Sequence, residues 1–307
     1  MTGVAQVGTV AIAAGKRRLR RAVPYMAPSL MQFSSFWPHD FQARAYARPA
    51  WERGAEAADG FPLPPKELWA TYCTTEESYL ASGRADCGTM ADALAANGAP
   101  IADAGRILDL GCAAGRMTRH VFGLAPEAQV WGTDIWSTAI LWCQENLRPP
   151  GQFAVTTMVP HLPFEDRSFG LVYCGSLFTH IDDLAESWFA ELHRILRPGG
   201  HLYFSINDRA AVEVFEGRGD PASYPGYWER AGGKASWDSF VRDSQASAEY
   251  RNFRDGLTYM FSRGRSLNAQ VMWDSDVLCD RLTWGFTRRA VIPQGYGHQT
   301  TVLLQRT

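Results

Sequence analysis

No two cysteines of this chain stand in C-x-x-C spacing: Cys73, Cys87, Cys112, Cys143, Cys174 and Cys279 are scattered through 307 residues. That excludes the usual zinc and dithiol motifs, and no other metal-ligand cluster stands out. Free buried thiols and a reducing, cytoplasmic setting are the simplest reading. No apolar run approaches the length that spans a bilayer, so no transmembrane segment is expected. The net charge is only −2, which gives no global case for binding nucleic acid or an anionic surface. Internal repeats and low-complexity tracts are absent. Acids are missing before Asp40, and Lys16-Arg-Arg-Leu-Arg-Arg21 follows a small apolar stretch. A secretory signal places its charges first, so the order is wrong for one. A basic, loosely packed arm is expected there, with a transit peptide or an anionic contact as the alternatives.

What is present suffices for one large domain or a domain with an accessory region, with 46% apolar and 20% charged residues. Residues 1–65 read as an N-terminal extension and cap, broken by Pro24 and Pro28 and rich in aromatics from Phe36 to Trp51. Residues 66–98 carry helical spacing at Leu68, Tyr72, Tyr79, Leu80, Met90 and Leu94. Strands are predicted at 106–110, 129–134, 153–157, 169–174 and 200–206, alternating with helices at 115–124, 136–147 and 182–196, and at most one turn of helix near 164–167. Arg197-Pro-Gly-Gly200 reads as a helix stop and turn. Asp182 and Asp183 suit a helix start. Helix 274–284 and a hairpin of Phe286–Pro293 with Gln299–Gln305 complete an α/β, Rossmann-like, doubly wound sheet of seven strands. Residues 66–307 form this domain, with an aromatic-rich insertion at about 208–272.

The most informative stretch is Arg106-Ile-Leu-Asp-Leu-Gly-Cys-Ala-Ala-Gly-Arg-Met-Thr-Arg-His120. It reads as a strand ending at Asp109, a turn through Gly111, Ala113 and Gly115, and a helix. The dinucleotide spacing G-x-G-x-x-G is absent, which argues against a nicotinamide oxidoreductase. A carboxylate beside the turn suits a ligand with a cationic amine better than a pyrophosphate, as S-adenosylmethionine has. Gln129-Val-Trp-Gly-Thr-Asp134 then ends in an acid nineteen residues after Gly115, near the spacing at which such an acid meets ribose hydroxyls.

Together with Leu162-Pro-Phe-Glu-Asp-Arg-Ser-Phe169 and Leu196-Arg-Pro-Gly-Gly200, these blocks resemble the class I S-adenosylmethionine-dependent methyltransferases, in their small-molecule, type 11/25-like branch. Phe178-Thr-His-Ile181, Trp142-Cys-Gln-Glu-Asn-Leu147 and Gly297-His-Gln-Thr-Thr-Val302 are similar to methyltransferases of polysaccharide and natural-product genes. The resemblance implies that Asp109 serves the methionine amine, directly or through water. Asp134 serves both ribose hydroxyls, Ile135 packs on adenine, and Met158 and Val159 form the adenine wall. Gly111, Ala113 and Gly115 line the turn, and Cys174 closes the cofactor set at the end of the fourth strand. Arg116 binds the methionine carboxylate or forms an ion pair; for Arg119 a surface ion pair is the expectation. The family usually has glycine at the position of Ala113, whose methyl group is tolerated if the local φ is negative.

Methyl transfer needs positioning above all, and a base only where the acceptor must lose a proton. His180 is the candidate catalytic base, a few residues past the fourth strand at the edge where open α/β sheets bind ligands. Its alternative is to order the loop or cap the next helix. Ser176, Thr179 and Tyr173 are neighbours; His39, His161 and His298 are weaker candidates. Trp37, Tyr72, Tyr79, Tyr227 and Trp228 are candidates for stacking on an acceptor, with packing in a small core as the alternative. The function expected is methylation of an oxygen or nitrogen of a small-molecule acceptor, a sugar or secondary metabolite. A non-catalytic module of the same fold is the opposing class. An RNA methyltransferase is disfavoured because strand four ends Tyr173-Cys-Gly-Ser176 rather than in N-P-P-Y.

Overall fold

The computed structural model describes residues 56–69, 75–181, 184–216, 271–281 and 283–307, with short pieces at 54, 73, 218, 235, 238–239, 242, 245–246 and 260–262. Strands β1 (Arg106–Leu110), β2 (Gln129–Asp134), β3 (Gln152–Val155), β4 (Phe169–Cys174) and β5 (Leu196–Ile206) are parallel, while β8 (Phe286–Tyr296) and β9 (Gln299–Arg306) form an antiparallel hairpin at one edge. The order is β3-β2-β1-β4-β5-β9-β8. The short β6 (Met260–Ser262) and β7 (Val271–Trp273) pair separately. The order reverses between β1 and β4, so the carboxyl ends of these strands flank the crevice where open sheets bind ligands.

Helices α1 (Glu76–Ala96), α2 (Thr118–Leu124) and α3 (Ser137–Asn146) contribute to the core on one face, built around Met90, Val121, Ile140 and Trp142. Helix α4 (Ala185–Ile195) and α6 (Ser275–Arg281) supply Phe189, Leu192 and Leu278 to the other face. Helix α5 (Arg209–Phe215) follows β5, capped by Asp208, whose carboxylate accepts from Ala210 N at 2.9 Å. Thr75 and Ser78 form a capping box for α1, and Gly98 with φ 72 ends it. The buried positions Tyr79, Ser82, Asp86, Met90 and Leu94 keep helical spacing, so one stripe of α1 faces the sheet.

Several boundaries differ from expectation, each for a local reason. Helix α2 begins at Thr118 rather than 115, because Ala113 and Gly115 have φ 46 and 75, incompatible with helix. No helix forms at 164–167. There the chain is pinned by α4 instead: Glu191 accepts from Leu162 N at 2.5 Å, and Arg194 donates to the carbonyls of Leu162 and Phe164 at 3.1 and 2.8 Å. Arg197–Gly200 does not end the helix before a separate strand. It is a bulge inside β5, where Leu196 pairs Phe169 and the ladder resumes at His201 with Leu171. Strand β3 stops at Val155. Asp182, Asp183 and most of the insertion lie outside the described residues. No helix among the described residues is long and apolar enough to cross a membrane.

Candidate functional site

Asp109, the residue before the end of strand β1, stands on the face turned toward α1 and α2. Its neighbour in register on β4 is Tyr173. The Tyr173 hydroxyl donates to Asp109 Oδ2 at 2.9 Å, and Thr118 of α2 donates to the same oxygen at 2.6 Å. Asp109 is 3% exposed, and burial pushes its carboxyl up to about 6 despite these bonds and the nearby Arg116. A buried carboxyl so placed gains from any cation brought beside it.

The turn after Asp109 is held from β2. Gly111 N and Cys112 N donate to the Thr133 carbonyl at 2.7 and 3.1 Å. Asp134 accepts from Ala113 N with Oδ2 and from Trp136 N with Oδ1, both at 2.8 Å. Burial raises its carboxyl against these bonds. The acid thus splints the turn to the start of α3, and each of its oxygens keeps a further lone pair for another donor. The φ at Ala113 is 46, so the condition of a negative φ for an unstrained methyl group is not met. A residue with a Cβ stands where glycine is the unstrained choice. Gly115 is tighter still, since a Cβ there would lie 2.4 Å from Leu147 Cδ1.

Asp109, Gly111, Ala113 and Arg116 line one cavity, closed on its far side by Leu68, Trp69, Tyr79 and Tyr296. Its volume of about 30 Å³ equals roughly one water's share of the liquid. Only a small group such as an amine fits within it, and the candidates for the ribose and adenine lie outside it. Arg116 lines this cavity but is not a surface residue, being 5% exposed. It ion-pairs with buried Asp86 at 2.7 Å, and its donors reach Ser82 Oγ and the Tyr296 hydroxyl at 3.1 and 2.5 Å. Arg119 is corrected more strongly, being 2% exposed. Its guanidinium clasps Asp59 at 2.5 and 2.7 Å and donates to the Phe61 carbonyl at 2.9 Å.

The other candidates stand apart from this cavity. Asp134 reaches its wall only through Ala113 N. Ile135 and Met158 are half-buried, and Val159 is 53% exposed. The Cys174 thiol packs with Val172 and Phe178 on the opposite face of the sheet. His180 is exposed on the loop after β4, where its N–H donates to the Leu177 carbonyl at 3.0 Å. That loop is anchored by Ser176, whose hydroxyl accepts from Gln299 Nε2 at 2.8 Å, and by Trp273, whose indole donates to the Phe178 carbonyl at 2.8 Å. His161 is exposed and His298 half-buried. Trp37, His39, Tyr72, Tyr227 and Trp228 lie outside the described residues.

Sequence reasoning missed Thr118, Asp86 and Tyr296, and gave Tyr173 and Tyr79 other roles. Tyr173 was findable, since parallel register sets it beside Asp109. Asp86 left a signal too, as a lone acid on the apolar stripe of α1. Nothing local marks Tyr296.

Residues 108–204 match a family model described as a methyltransferase domain. A phthiotriol/phenolphthiotriol dimycocerosates methyltransferase of Mycobacterium ulcerans is 31% identical, over 39% of this chain and 44% of its own length. The malonyl-[acyl-carrier protein] O-methyltransferase of Hahella chejuensis is 30% identical, over 32% of this chain and 35% of its own length. A ubiquinone/menaquinone biosynthesis C-methyltransferase of Desulfotalea psychrophila is 33% identical, over 32% of this chain and 39% of its own length. The chain spans less than half the length of each of these relatives.

Proposed function

The chain belongs to the class I S-adenosylmethionine-dependent methyltransferases through its domain at residues 108–204, and on that premise we propose that it transfers a methyl group to an oxygen or nitrogen of a small molecule, a sugar or secondary metabolite. The observation that supports the cofactor part of this reading best is the Asp134 carboxylate, splinting the Ala113 turn while keeping lone pairs for ribose hydroxyls. S-adenosylmethionine supplies an activated methyl on a sulfonium, so the protein's task is alignment and exclusion of water. Asp109 holds the amine end, directly or through water. Gly111 and Ala113 let the backbone approach, and Ile135, Met158 and Val159 take the adenine side. His180 accepts the acceptor's proton from its loop at the carboxyl edge of the sheet.

The fit is chemical first. A buried carboxyl near 6 suits a cationic amine. The small cavity and the φ of Ala113 favour one rival, a non-catalytic module of the same fold. Turnover with S-adenosylmethionine and a panel of sugar and natural-product acceptors separates the two. The NMR chemical shifts of the transferred methyl group then distinguish an O- or N-methyl from a C-methyl group. In the proposed enzyme, His180→Ala lowers kcat at least tenfold while S-adenosylhomocysteine binds as before. Undiminished turnover on the native acceptor removes the base assignment and leaves the cofactor reading standing.

A further inference from the structure

At the opposite, amino edge of the sheet, a second cavity of about 240 Å³ lies between the strands and the end of α1. It is roughly 15 Å, the length of β1, from the Asp109 turn. In register on one side, His201 of β5 faces Gln305 of β9. Arg289 of β8 donates through Nε to Gln305 Oε1 at 2.9 Å, and Gln305 Nε2 donates to the Gly199 carbonyl at 3.0 Å. Arg197, thrown outward by the bulge in β5, lines the wall, and its Nη2 donates to the Asp103 carbonyl at 3.3 Å. Gly170 allows the strand and the 101–104 turn to meet, since a Cβ there would stand 2.1 Å from the Ala104 carbonyl oxygen.

His201 carries the argument furthest. It is 7% exposed and borders the cavity, yet its ring makes no hydrogen bond to another described residue. A ring without a protein partner keeps both nitrogens for water or a ligand. Burial, with the guanidiniums of Arg289 and Arg197, keeps the ring below its ordinary pKa, so the neutral ring presents one N–H and one acceptor nitrogen. Arg197 brings positive charge to the wall, and Arg289 adds to it from behind Gln305. Among the described lining residues the one carboxylate is Asp103, which stands exposed on the rim. The negative end of α1 is capped, with the Leu94 carbonyl accepting from Asn97 and Ala99 N–H and the Ala95 carbonyl from Gly98 N–H, each at 3.0 Å.

We propose that this cavity binds a small oxyanion, a carboxylate or phosphate group, held by Arg197 and the His201 imidazole with Arg289 behind them. The cavity equals the share of roughly eight waters, room for phosphate or a small dicarboxylate. The site does not depend on the methyltransferase reading. Its test is calorimetric titration of the full chain at constant ionic strength with inorganic phosphate and, in parallel, with succinate. Saturable binding of at least one is expected, weakened tenfold or more in Arg197→Gln and Arg289→Gln. Both side chains are exposed, so the fold tolerates their loss, and S-adenosylhomocysteine should bind these variants as it binds the parent. If neither anion gives saturable binding, or if both variants titrate like the parent, the proposal is overturned.

Discussion

Asp109 holds its charge at a cost. Burial raises its carboxyl from an ordinary value of 3.8 to about 6, while Thr118, Tyr173 and Arg116 pull the other way. Between about pH 4 and 6 the unfolded chain has released this proton and the folded chain retains it. The contribution of this group to stability therefore falls as pH rises through that window, by about 3 kcal/mol, and is flat on either side. Denaturant unfolding of the parent and Asp109→Asn across the window should show the variant gaining that amount on the parent. A difference that does not change with pH would show that Asp109 is not the buried acid described. Ala113 offers a second residue-scale test. A left-handed alanine costs about 1–2 kcal/mol, partly offset by the greater freedom of an unfolded glycine. Ala113→Gly should thus raise the unfolding free energy by up to about 1 kcal/mol, and a loss of stability would contradict the φ of 46.

At the scale of elements, Arg119 makes α2 the anchor of the segment that precedes α1. Its bonds to Asp59 and Phe61 are joined by the packing of Phe61 on Phe122, with ring centroids 5.4 Å apart. Arg119→Ala leaves Asp59 half-buried without its partner and should destabilise the fold by about 3 kcal/mol. Limited proteolysis should then cut first within residues 56–65, and unaltered cleavage would show that the clasp does not hold the segment. The strands near the centre of the sheet were legible because apolar runs between turn residues leave few alternatives, as at Arg106–Leu110 and Phe169–Cys174. Arg119 was misjudged for the opposite reason. Its partner is far away in sequence, and nothing in the pattern of α2 says that an N-terminal loop will cover it. The same holds at 164–167, where a helix is displaced by Glu191 and Arg194 reaching across from α4.

Across the whole molecule, the sheet separates the proposed cofactor edge around Asp109 and Asp134 from the proposed anion edge around Arg197 and His201. The turn that positions the first was readable, because a strand end, two glycines and a second acid recur at a spacing set by the fold. Its closing wall was not, since Trp69, Tyr79 and Tyr296 come from separate elements that only tertiary packing brings together. The loop carrying His180 is likewise fixed by distant residues, Gln299 and Trp273. The central claim is that this edge binds the cofactor through Asp134. Calorimetric titration of S-adenosylhomocysteine into the parent and into Asp134→Ala, with melting curves to check folding, tests it most directly. Micromolar binding by the parent, about −8 kcal/mol, weakened at least tenfold in the folded variant, is the expected result. A parent that binds nothing, or a variant that binds equally well, would contradict it.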